Sequence, residues 1–418
     1  MNRLRKFAIA LLSTIMILIF GIVLTALPSR SQSPPSTFEQ VWQTVNEAFY
    51  DSNFNGVDWV AAKEAYEPLA AQTQSKAELA QVINQMLSEL DTSHTHFYTS
   101  EDPAYYQLLG IFLTLIPELQ PQVESFLLDG KPQYSGIGIF TETLDGNTFI
   151  KAILDDGPAA QAGLLVGDRI LSVDRQPFHP INSFLDKAGQ PVELAVQHSI
   201  GNQTDVTVTP RMLDGTTMFS DAMKVSVEVI ERENKTIGYV HLWSYAGEAI
   251  HKQLTAELFY GQLKDVDSFV LDLRDGWGGA TAAYLNIYTP ENLTTTGTAR
   301  DYPPSTANSA WSKPVVMLVN GDSRSGKEVL AYGFRKYEIG PVVGSRTAGA
   351  VVQGNLYPMD DGNLLYLAVA DIHVDGKRIE GIGVEPDIAV TAPIKYAQGA
   401  DPQKEKAVEV ALEKINRL

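Results

Sequence analysis

The sequence predicts a multidomain chain of mixed α+β and α/β class, with a helical N-terminal region, a small β-rich module and an α/β core. Three observations predict it. Residues 36 to about 100 carry apolar positions at helical spacing. Between 134 and about 211, short β-rich runs are punctuated by Gly, Pro and Asp. From about 222 to 395, strand-like and helix-like runs alternate, the pattern of a layered α/β domain. The 418 residues suffice for two or three domains, and 44% hydrophobic content allows normal cores without staples.

In chain order, a leader comes first. Arg3, Arg5 and Lys6 precede 21 uncharged residues, Phe7 to Leu27, and Pro28 to Pro35 break the run. Residues 1–33 therefore read as an export signal or an N-terminal membrane anchor, with the bulk of the chain exported. The expected location is periplasmic, luminal or extracellular. Ser36-x-x-Glu39 and Ser75-x-x-Glu78 are capping boxes, each followed by an apolar helical face. Residues 36–130 thus form the helical region, and its apolar run Leu108 to Ile116 reads as a buried helix too short to span a membrane. The β-rich module is placed at 134–211 and the α/β core at 222–395. Within that core the expected strands are Phe269 to Leu273, Pro314 to Val319, Val342 to Gly344 and Leu364 to Ile372. The expected core helices are Glu248 to Leu263 and Gly326 to Tyr337. Residues 396–418 read as a C-terminal helix.

Composition narrows the chemistry. With no Cys, a cysteine nucleophile, thiolate metal sites and disulfides are excluded. The formal charge is −18, and removing the four basic residues of the leader leaves about −22. That balance argues against nucleic-acid partners and against docking on anionic lipid through a basic face. Only seven His supply candidate bases.

Three segments carry chemical promise. The run Pro314 to Val319 leads into Asn320-Gly321-Asp322-Ser323-Arg324-Ser325-Gly326-Lys327-Glu328 and then a helix. A serine at such a junction suits nucleophilic catalysis, because free amides at a helix start stabilise an oxyanion. Helix capping is the commoner fate of serine there. Asp272-Leu273-Arg274-Asp275-Gly276-Trp277-Gly278-Gly279 is a strand end with a glycine turn, where backbone amides can approach a substrate oxygen closely. No Gly-Lys-Ser/Thr follows, so it is not a phosphate loop. Ser93-His94-Thr95-His96 lies just past a helix end. No third ligand in recognisable spacing joins the two His, so neither a metal nor another cofactor is expected.

Taken together, these segments resemble the tail-specific, or C-terminal processing, serine peptidases and their tricorn-like relatives, over about 36 to 395. The β-rich part carries PDZ-like landmarks: Tyr134-Ser135-Gly136-Ile137-Gly138-Ile139, Gly157-Pro158-Ala159-Ala160-Gln161-Ala162-Gly163-Leu164 and Gly167-Asp168-Arg169-Ile170. The resemblance implies that Gly136, Ile137, Gly138 and Ile139 present amides to a peptide C-terminus, so that polypeptide substrates are recruited through their tails. It implies a crotonase-like core, with Ser325 as nucleophile and Ser323 as its understudy. The Gly326 amide and that of Gly278 or Gly279 would form the oxyanion hole.

One departure separates two branches. Members with a Ser–Lys dyad carry lysine 25 residues after the serine, and here that position is Ala350. Lys327 and Lys336 are wrongly placed to substitute. The tricorn-like branch uses a Ser–His pair and a glutamate before Gly-Val-x-Pro-Asp, and Ser93, His94 and Glu380 match those positions. The resemblance thus implies His94 as general base, His96 as its understudy, and Glu380 supporting it directly or through Ser93. Two other readings compete: a catalytically inactive peptide-binding protein on the same scaffold, and a binder of apolar ligands lined by residues 108–116. The joint presence of Ser93, His94 and Ser325 favours the enzyme, since a pure binder needs none of them.

Overall fold

The computed structural model describes residues 36–289, 294–299, 302–308 and 310–417. The leader read at 1–33 lies outside them. Among the described residues no helix is long and apolar enough to cross a membrane.

Three helices open the described chain: Thr37–Ala48, Trp59–Ala70 and Lys76–Ser88. Asp58 caps the second by accepting from the Ala61 N–H, and Ser75 caps the third by accepting from the Glu78 N–H. The Glu78 carboxylate returns to the Gln74 N–H, one residue before the cap. The apolar face carrying Phe38, Val41, Val45, Ile83 and Leu87 is buried against Leu365, Leu367 and Ala368. The helical region therefore shares one core with a distant part of the chain. A short strand, His96–Tyr98, follows and pairs antiparallel with Leu364–Asp371, which pairs in turn with Val352–Pro358. Leu364 to Ile372, expected as part of the α/β layer, belongs instead to this three-stranded sheet. Periodicity shows that a run is a strand but not which strand it pairs with. Helix Pro103–Leu115 then buries Tyr105, Leu108 and Leu109.

Strands Gln133–Gly136 and Arg211–Asp214 pair antiparallel as the two chain crossings into the β-rich module. The module is a five-stranded antiparallel sheet: Ile139–Leu144, Asn147–Ile153, Arg169–Val173, Val192–Ser199 and Asn202–Val208. Its own core includes Ile150, Leu194 and Val196. Several contacts tie it to the rest of the chain, three of them beside the main sheet. Lys151 bonds both carboxylate oxygens of Asp322 at 2.8 Å. The Trp243 indole donates to Asp155 at 2.6 Å, and Phe140 stacks on Trp243 at 5.0 Å.

The main sheet has six strands in the order Ile388–Ala389, Val342–Gly344, Val315–Val319, Ser268–Asp272, Lys235–His241 and Glu228–Arg232. All neighbours are parallel except the last pair. Its central strands are fully apolar in their interiors because both faces are covered. Phe269, Leu271 and Met317 face a cluster that includes helices Glu248–Phe259 and Gly326–Lys336. Val270, Val316 and Leu318 face the C-terminal helix Pro402–Asn416 through Ala407 and Ala411. In such a sheet the loops at the carboxyl ends of the strands converge, and the loops after Asp272, Val319 and Gly344 do so here.

Candidate active site

Two of those converging loops meet at Ser325. The residue sits at φ 58, ψ −129, immediately before helix Gly326–Lys336. This conformation is costly for a residue with a Cβ and marks a sharp strand-to-helix turn that pushes a side chain outward. The turn is held from behind. The Ser325 N–H donates to the Ala350 carbonyl at 2.8 Å and to Glu328 at 3.2 Å. Glu328 is fully buried, and its carboxylate also accepts from the Thr347 hydroxyl and the Gly349 and Ala350 amides at 2.6 to 2.7 Å. Burial wins over these four donors and raises the Glu328 carboxyl above its ordinary pKa. Glu328 thus clips the Ser325 turn to the 347–350 loop. The Ser325-x-x-Glu328 spacing, the same box read at two other helices, was the signal for it.

The glycine turn lies directly against this serine. A Cβ on Gly278 would stand 2.5 Å from the Ser325 Cβ and 3.1 Å from its Oγ, so only glycine fits. Gly326 is equally confined, with the Ala280 backbone in the place its Cβ would take. The N–H groups of Gly278, Gly279 and Gly326 have no acceptor among the described residues. From beneath, Lys327 fixes the turn. Its fully buried ammonium donates to the carbonyls of Asp275 at 2.7 Å, Trp243 at 3.1 Å and Arg274 at 3.4 Å. Burial pushes its pKa down to about 7, against the opposing pull of Asp275 and Asp272. Lys327 points away from Ser325, as its helical position implied. Lys336 pairs with Asp375 on the surface.

His94 arrives from the other side. It occupies the turn between helix Lys76–Ser88 and strand His96–Tyr98, at φ 55. Pairing of that strand with Leu364–Asp371 carries the turn over the core. The Ser93 hydroxyl lies 2.8 Å from His94 Nδ1 and donates to Glu380 at 3.0 Å. A hydroxyl has one proton and the carboxylate can only accept, so Nδ1 is the donor and Nε2 keeps its lone pair. Glu380 is 6% exposed and also receives the Ser93 and Val351 amides. Burial, then the charge of Arg324, push the His94 pKa down to about 3, so the imidazole is neutral across the ordinary pH range.

His94, Gly278, Gly279, Ser325, Ala350 and Tyr366 line one cavity of about 530 Å³. Among the described residues no hydrogen bond joins the His94 imidazole to the Ser325 hydroxyl. His96 lines the same cavity without a comparable carboxylate relay, and packs on Tyr98. Ser323 is buried, and its hydroxyl is committed to the Leu273 carbonyl and the Asn320 N–H. Ala350 borders the cavity with no amine to offer. No cluster able to hold a metal ion occurs among the described residues. The loop Gly136, Ile137, Gly138 and Ile139 lines a second cavity of about 270 Å³, which Trp277 and Arg324 also line.

Comparison with known proteins agrees with this layout. The model of peptidase family S41 matches residues 236–390, that of the tricorn protease C1 domain 31–88, and that of the PDZ domain 149–197. A putative tricorn protease homolog 2 of Streptomyces coelicolor is 26% identical over 408 residues, covering 90% of this chain. The chain spans about a third of the length of that relative and of tricorn protease homolog 1, 32% and 35%. A carboxyl-terminal-processing protease of Synechocystis is 25% identical over 87% of this chain and 82% of its own. Among solved structures, the tricorn protease has a TM-score of 0.52 at 17% identity, over 91% of this chain and 36% of that one. Mature CPAF complexed with lactacystin has a TM-score of 0.52 at 13% identity, over 91% and 98%.

Proposed function

We propose that this chain, whose core carries a peptidase family S41 domain, is an exported serine endopeptidase in which Ser325 attacks the scissile carbonyl and His94 is the general base. Ser325 Oγ forms a bond to the carbonyl carbon while its proton passes to His94 Nε2. The carbonyl electron pair moves onto oxygen, which accepts from the Gly326 amide and that of Gly278 or Gly279. On collapse the C–N bond breaks and His94 returns the proton to the leaving amine. Water then repeats the sequence on the acyl-enzyme. Glu380 acts through Ser93, holding the imidazole in the tautomer that leaves Nε2 free and stabilising the imidazolium. Contact between His94 and Ser325 tightens when substrate fills the cavity, as apo sites of this kind commonly require.

One observation carries this reading: a serine in a strained turn, a tethered neutral histidine and a glycine loop with unspent amides share one cavity. The leader at 1–33 supports delivery to a periplasmic, luminal or extracellular space. The loop Gly136 to Ile139 supports recruitment of polypeptide tails by the module at 134–211, next to the catalytic core at 222–395. A fluorophosphonate probe tests the reading. The full chain labels at Ser325, and His94→Ala reduces labelling strongly. A folded chain that does not label, with or without bound peptide, would instead be the catalytically inactive binder.

A further inference from the structure

Arg324 directly precedes Ser325 and lines both the catalytic cavity and the cavity of the Gly136–Ile139 loop. Its guanidinium lies 5.5 Å from the Trp277 ring centre, and its Nε is buried with no hydrogen-bond partner. Among the described residues no carboxylate stands at ion-pair distance from it. The neighbouring cations are all satisfied. Lys151 pairs with Asp322, Arg274 with Asp272 and Asp401, and Lys327 with three carbonyls. The catalytic cavity has no Asp, Glu or Lys in its described wall, so Arg324 is the one full charge there. That charge reaches the far wall, where it lowers the basicity of His94. A chain with 50 acidic residues against 32 basic ones has ample means to neutralise a cation, yet leaves this one open beside its nucleophile. A half-enclosed guanidinium without a counter-charge is costly unless an anion arrives with the ligand. Its planar fork suits a carboxylate, which it can hold through two parallel bonds.

We propose that Arg324 is a specificity-determining residue that pairs with a carboxylate of the polypeptide in the catalytic cleft. The carboxylate is either the free C-terminal α-carboxylate or an Asp or Glu side chain close to the scissile bond. This rests on the peptidase reading and adds the substrate's charge to it. Pairing also offsets the cation that weakens His94, so an anionic substrate strengthens the base it is about to use.

The test uses the full chain and two matched pairs of fluorogenic peptides. One pair differs as C-terminal acid against amide, the other as Glu against Gln beside the cleavage site. The wild type prefers the anionic member of at least one pair by about tenfold or more in kcat/KM, the scale of one charge-assisted pair. Arg324→Gln abolishes that ratio, and Arg324→Lys restores part of it. The responding pair identifies the source of the carboxylate. Equal cleavage of both members of both pairs by the wild type, or a preference that survives Arg324→Gln, overturns the inference. Affinity of the same peptides for Ser325→Ala, with and without Arg324→Gln, gives the same ratio without hydrolysis. If neither cleavage nor labelling occurs the peptidase reading falls, and this binding ratio still decides the role of Arg324.

Discussion

The two walls of the cavity, one carrying the proposed nucleophile Ser325 and the other the proposed base His94, are built on different physical plans. The nucleophile wall is local and over-determined. Ser325, Gly326, Lys327 and Glu328 are consecutive, and the last two reach in opposite directions to clamp the 347–350 loop and the glycine turn. The base wall is long-range, assembled from segments far apart in the chain. His94 depends on one hydroxyl, one carboxylate 287 residues away from that hydroxyl, and a three-residue strand pairing. The nucleophile wall stores strain and resists it with buried charge. The base wall holds a neutral imidazole through the Ser93 hydroxyl, the Glu380 carboxylate behind it and the Tyr366 ring. On the proposed mechanism, a site so divided fixes its oxyanion donors by backbone packing and its proton carrier by side-chain contacts alone.

The sharpest break of this comparison removes one group from each wall. Ser325→Ala and His94→Ala each lower kcat/KM by about 10⁴-fold or more, and the double variant loses little beyond either. Additive losses would mean that the two walls do not act as a unit. Next, Glu328→Ala leaves the Thr347 hydroxyl and the Gly349 and Ala350 amides without their acceptor and destabilises the chain by about 3–5 kcal/mol, read from urea unfolding. A loss under about 1 kcal/mol would show that the nucleophile turn is not clamped from behind. On the base wall, Ser93→Ala lowers kcat by about 10²-fold with little change in KM or unfolding midpoint, and Ser93→Thr recovers part of it. A large loss of stability instead would make Ser93 a packing residue. The smallest effect concerns pH. Because the pKa of His94 is pushed down to about 3, its free base is present well below the ordinary histidine value, and kcat/KM shows no acid limb near pH 6.5. For the same reason His94 adds to stability above about pH 6.5, and that contribution is lost as pH falls from there toward about 3. An acid limb in kcat/KM at pH 6–7 would mean that His94 is not the base or that its surroundings are more open.

The difference between the walls also explains what the sequence made legible. Ser325 stands out because strand, turn and helix are contiguous, and the glycine turn is marked by its own composition. His94 and Glu380 are visible only as short motifs, and nothing in their spacing says that a serine between them joins the two. Glu328 was within reach, since its distance from Ser325 is a capping-box spacing. Arg324 carries no local signal, because its meaning depends on which carboxylates are absent around it. The pairing of His96–Tyr98 with Leu364–Tyr366 is likewise invisible to periodicity, yet it adjoins and positions the His94 turn.

The distances along the chain give the site a built-in order of completion. The histidine is made first, the serine 231 residues later and the glutamate 55 after that. A polypeptide that stops short of Glu380 lacks the carboxylate that holds Ser93, and its His94 is left without that anchor. On the proposed mechanism, hydrolytic power waits until Glu380 has met Ser93. On that mechanism the late-arriving glutamate serves as a safety catch, the part that other hydrolases give to a removable prosegment.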